Sequence, residues 1–107
     1  MAYFNALVES RNYQQAADFL EQHAVNRPDD HNIWFEIAEV QGQAGNISQV
    51  HQARAEYYKL IGDFSNARAQ YQYALRIERD NGALPAEQSR LRQRMMEVEA
   101  MERQLQQ

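Results

Sequence analysis

The side chains able to do chemistry in this chain of 107 residues are few and scattered. His23, His31 and His51 could ligate a metal or carry a proton near neutral pH. Of these, His31 has carboxylates beside it, in the run Asp29-Asp30-His31. A zinc site needs histidine and cysteine ligands at short, regular spacings. These histidines are spread along the chain, and the chain contains no cysteine. Adjacent carboxylates ahead of a helical segment serve more simply as caps that accept from its free N–H groups. No nucleophile has a base at a recognisable spacing. The expectation is therefore no catalytic residue, no cofactor and no metal.

Tyr57-Tyr58 and Tyr71-Gln72-Tyr73 could offer rings on which bases stack. The formal net charge is −4, with both signs spread along the chain. A groove for a polyanion would need a basic stripe, so nucleic acid is not expected as a partner. The tyrosines read instead as packing residues, and Trp34 as core. No apolar run is of membrane-spanning length, so no membrane insertion is expected. The start, MAYFNALVES, lacks the basic residues and long apolar run of a secretory signal. Either the protein stays where it is made, or this is a piece of an exported one.

The elements that would position these side chains are set by turns. Gly45-Asn46-Ile47 and Gly62-Asp63-Phe64 each join a residue able to take positive φ, a short polar cap and an apolar residue. Arg11-Asn12-Tyr13 has the same form without the glycine. Tyr13 and Ile47 are 34 positions apart, and Ile47 and Phe64 are 17 apart. A helix end joined to a helix start, repeated at about 34 residues or half that, is the grammar of an α-helical repeat.

Six helices are predicted, over 2–9, 13–25, 31–44, 47–61, 64–79 and 85–105. Asn12 with Gln15 predicts a capping box ahead of the second. Tyr13, Ala16, Ala17, Leu20 and Ala24 form its apolar stripe. The third carries Trp34, Ile37 and Ala38 with Ile33, Val40 and Ala44, an arc wide enough to lie between two other helices. Val50, Ala53, Tyr57 and Leu60, with Ala55 and Tyr58, serve the fourth. Phe64, Ala67, Tyr71, Ala74 and Leu75 serve the fifth. The last has a thin stripe of Leu91, Met95, Val98 and Leu105, broken at Gln88 and Glu102, with Glu99–Arg103 as a local ion pair. It is predicted to cap the stack by packing on the last repeat, with a dimer seam or partner surface as alternatives.

The pattern resembles the tetratricopeptide family. Tyr13, Ala16, Leu20 and Pro28 fall on second-helix and closing positions, and Trp34 and Ala38 on first-helix ones. Ala55, Tyr58, Gly62, Phe64, Ala67, Tyr71 and Ala74 match half a repeat out of phase. The match spans most of residues 3–80 and implies a right-handed superhelix of antiparallel helix pairs. Residues 1–82 would be the repeats, the first of them truncated, and residues 83–107 the closing helix of the same domain.

Asp29-Asp30 with Trp34, then Ala53-Arg54-Ala55-Glu56, Tyr58, Leu60, Gly62 and Ala67, also resembles the C-terminal repeat domain of periplasmic M48-family zinc metalloproteases. That resemblance implies an accessory, chaperone-like domain that meets the outer-membrane assembly machinery or unfolded outer-membrane proteins. The protease's own His-Glu-x-x-His motif is absent from this sequence. A periplasmic location follows if the resemblance holds, and a cytoplasmic one otherwise.

The function expected is a protein-interaction scaffold. The alternatives are a free-standing adaptor for peptides or helices of cytoplasmic partners, and a structural domain that self-associates through its open N-terminal seam. A groove for a protein or peptide partner would be lined by Asn32, Phe35, Glu39 and Gln43, with Gln52, Glu56 and Lys59. Phe35 and Glu39 depart from the basic clamp that holds a chaperone's terminal carboxylate.

Overall fold

The computed structural model describes residues 2–105, and within them the chain is all α-helical. The elements are α1 (Ala2–Glu9), α2 (Tyr13–Asn26), α3 (His31–Ala44), α4 (Ile47–Leu60), α5 (Phe64–Asp80) and α6 (Pro85–Leu105). The predicted boundaries are met to within one residue.

Four of the five turns close in the same way. The N–H of Arg11, Gly45, Gly62 and Gly82 donates to the carbonyl three residues back, and the next N–H reaches the carbonyl five back, at 2.8–3.1 Å. This is the Schellman motif, which needs a left-handed residue. Gly45, Gly62 and Gly82 supply it at φ 82°, 83° and 76°. Arg11 takes the same conformation at φ 63°, although it has a side chain. The α2–α3 turn differs, because Pro28 replaces the left-handed residue.

The caps correct part of the sequence reading. Asp30 and Asp63 accept from the N–H groups of Asn32 and Asn66, as their positions predict. Asn12 and Asn46 sit at N-cap positions without capping. The Asn12 amide donates to Ser10 Oγ at 2.9 Å, so the capping box with Gln15 does not form. The Asn46 amide is drawn away to Gln14 and Gln41.

Each helix packs substantially on its chain neighbours. Two apolar cores result. The first holds Leu7, Ala16, Ala17, Leu20, Ile37, Ala38, Val40, Val50 and Ala53, and the second holds Ala55, Ala67, Tyr71, Ala74, Leu91 and Val98. α4 contributes to both from opposite sides. Alanines at the contacts let helix backbones approach closely, which is why so many small residues are fully buried. On α6, Leu91 and Val98 are buried and Met95 half-buried, but Leu105 is exposed and leaves the predicted stripe. The stripe's two breaks are cross-links instead. Glu102 receives the Arg68 guanidinium at 2.8 Å, and Gln88 donates to the Ala83 carbonyl. Glu99 and Arg103 form no ion pair.

Candidate functional site

A trough runs along α4. Two open cavities of about 740 and 410 Å³ share Glu21 and Gln49, and the second continues through Glu56, Arg90 and Arg94 into a third. α2 and α6 supply the walls and α4 the length, with Trp34, Ile37 and Gln41 of α3 showing at the base. Glu78 of α5 and Asn81, the residue after that helix, close one end.

Amides dominate that end. Asn46 donates to Gln14 Oε1 and to Gln41 Oε1, both at 2.8 Å, tying α2, α3 and the α3–α4 turn together. Gln41 is 2% exposed. It lies on the same stripe as Trp34 and Ile37, and a polar residue at an apolar-periodic position was the signal that sequence reasoning passed over. Ser48 Oγ donates to Glu78 at 2.9 Å, and Gln52 Nε2 reaches the same carboxylate at 3.4 Å.

The other end is organised by Glu56. Its carboxylate accepts the hydroxyl of the buried Tyr71. Lys59 Nζ lies 2.8 Å away and Arg94 Nη1 3.5 Å away, so this one group links α4, α5 and α6. Burial, and then the Glu56 charge, push the Tyr71 phenol far above its ordinary range. Midway along the trough, Glu21 is half-buried. Its pKa is raised first by burial and next by Asp18, against the opposing pull of Arg94.

The structure divides the residues expected to meet a partner. Gln52, Glu56 and Lys59 line the trough. Phe35 and Glu39 instead border a small separate pocket with Ala38, Arg54, Tyr57 and Tyr58. Asn32 sits beside a shallow hollow between α2 and α3, and Gln43 is exposed. α3 therefore reaches the trough through Trp34, Ile37 and Gln41 at its base, while Phe35 and Glu39 border the separate pocket. Trp34, read as core, packs on the first core but keeps one edge in the trough.

Tyr58 and Tyr71 pack in the second core. Tyr57 lies against His31 and Phe35, with ring centroids 5.6 and 6.0 Å away. His31 is thus a packing residue beside a capping Asp30. His23 packs edge-on against Phe19, and His51 bonds Gln70 at 2.7 Å. Among the described residues no three histidine or acidic side chains gather as a metal site, and no helix is long and apolar enough to cross a membrane.

With this geometry in place, comparison with known proteins adds a likeness. No family model matches the chain. The chain is similar to part of a protease. The Beta-barrel assembly-enhancing proteases of Escherichia coli K12, Shigella flexneri and Escherichia coli O157:H7 are each 35% identical to it over 63 residues. The alignment covers 59% of this chain and 13% of each relative, so the chain spans a small fraction of their length. The likeness relates a helical region of this chain to those proteins.

Proposed function

We propose that this domain is a protein-interaction scaffold that holds an extended polypeptide segment in the α4 trough. Its setting would be that of an accessory, chaperone-like domain in outer-membrane protein assembly, in the periplasm. The observation that carries the reading is the trough itself. It is open, and it is lined by amides and carboxylates, several of them held in place by hydrogen bonds. Fixed Gln and Asn side chains can satisfy the backbone N–H and C=O groups of an extended guest, which must otherwise stay in water. The tetratricopeptide resemblance and the 63-residue likeness to the Beta-barrel assembly-enhancing proteases support the setting. We read residues 1–82 as the repeats and 83–107 as the closing helix of this one domain.

The test is capture of a β-barrel protein diluted from urea, followed by fluorescence anisotropy. Gln49→Trp, which would fill the trough where its two main cavities meet, should weaken capture about tenfold or more while the helix content is unchanged. Phe35→Ala, in the separate pocket, should leave it within about twofold. If Phe35→Ala abolishes capture and Gln49→Trp does not, the partner binds the α3–α4 pocket and the trough reading is wrong.

A further inference from the structure

Resting on the trough as the binding site, we infer that it selects segments carrying a basic and an acidic residue about two to four positions apart. The two ends of the trough differ in charge. At one end Glu78 is held by Ser48 and Gln52 through neutral hydrogen bonds, and no cation within the described residues pairs with it. At the other end Lys59, Arg90 and Arg94 gather around Glu56, with Glu97 at the rim. Glu56 is shared among Lys59, Arg94 and the Tyr71 hydroxyl, which leaves Arg90 without an ion pair among the described residues. A guest cation would meet an uncompensated carboxylate at the first end, and a guest carboxylate an uncompensated guanidinium at the second.

The spacing follows from α4. Glu78 is held from Ser48 and Gln52, and the basic cluster borders Glu56, eight and four positions further along the same helix. At about 1.5 Å per residue this is about 6 to 12 Å. An extended chain covers about 3.3 Å per residue, so about two to four guest residues bridge the two charges. Glu21 lies between the ends, half-buried, with its pKa raised chiefly by that burial. Either chain direction satisfies the pair, since amides bind both polarities of a peptide.

The experiment uses short Gly/Ser/Thr host peptides titrated into the whole chain at low and high salt. One peptide has Lys and Glu about three apart, a second has them adjacent, a third has two Lys and a fourth two Glu. The separated pair should bind at least about threefold more tightly than each of the others, and the advantage should fade at high salt. Glu78→Lys should shift the preference to the two-Glu peptide, and the exposed Arg90→Glu should shift it to the two-Lys peptide. Either variant that keeps its fold by circular dichroism suffices. Equal binding of all four peptides, or a ranking unmoved by a folded variant, overturns the charge spacing but leaves the trough reading standing. Failure of every peptide to bind overturns both.

Discussion

At the scale of the residue, two backbone positions carry opposite strain. Arg11 holds φ 63°, a conformation that costs an L-residue about 1–2 kcal/mol relative to glycine. Arg11→Gly should therefore raise stability, by about 1 kcal/mol after the entropy of the freer unfolded chain is subtracted. Gly62 is the converse. A Cβ there would meet no atom within 4 Å, so only its φ of 83° penalises a side chain. Gly62→Ala should destabilise by about 1 kcal/mol. Urea melts of both variants check the pair, and a loss of stability in Arg11→Gly would contradict the turn assignment.

Tyr71 adds a pH effect at the same scale. Its phenol is buried against Glu56, so its pKa in the fold lies above that of the unfolded chain. A raised folded pKa means that the folded state keeps its proton longer. The stability from this group is fully present below the unfolded value, about pH 10, and is lost progressively above it. Tyr71→Phe should cost about 1–3 kcal/mol at neutral pH through the lost bond to a charged group, and should flatten the fall in stability above about pH 10. Chemical denaturation from about pH 7 to pH 11 resolves both effects.

At the scale of the element, α6 is held by a few contacts that the rest of its surface does not share. Leu91 is 3% exposed and Leu105 is 71% exposed. Leu91→Ala should cost about 2–5 kcal/mol, whereas Leu105→Ala should cost less than about 0.5 kcal/mol, by thermal unfolding. The contrast shows what periodicity can and cannot reveal. Apolar spacing placed Leu91 and Val98 correctly because burial on a helix repeats with the turn. It extended the stripe to Leu105 because spacing alone does not show where α5 ceases to lie alongside. The glycine turns and the stripes of α2, α4 and α5 were legible for the same local reason. The side of the stack that forms a trough was not, since it depends on how alternate helices line up across the whole chain. Phe35 and Gln52 were grouped on one surface on that account. The roles of Asn46 and Glu56 as polar junctions also escaped, because each is completed by residues distant in sequence.

At the scale of the molecule, the stack is nearly one-dimensional, and protection should vary along it. α1 contributes a single buried residue, Leu7, and packs on α2 alone to any substantial extent. α4 is flanked by α3 and α5 and feeds both cores. Amides of α1 should exchange with solvent markedly faster than those of α4, by native-state hydrogen exchange. Equal protection of the two helices would mean that the chain opens as one cooperative unit.

The membership of α4 in both cores also has a kinetic meaning. Packing between successive helices keeps contacting residues near one another in the chain, so loop closure costs little and folding should fall in the microsecond to millisecond range. A nucleus that includes α4 can grow in either direction, with Ala53 facing one core and Ala55 the other. Ala53→Gly should therefore slow refolding, whereas Leu7→Ala should mainly speed unfolding, as read from the two arms of a chevron plot. The helix that forms the length of the trough would then also be the first to take shape, and the trough would be complete only once α6 has docked as its second wall.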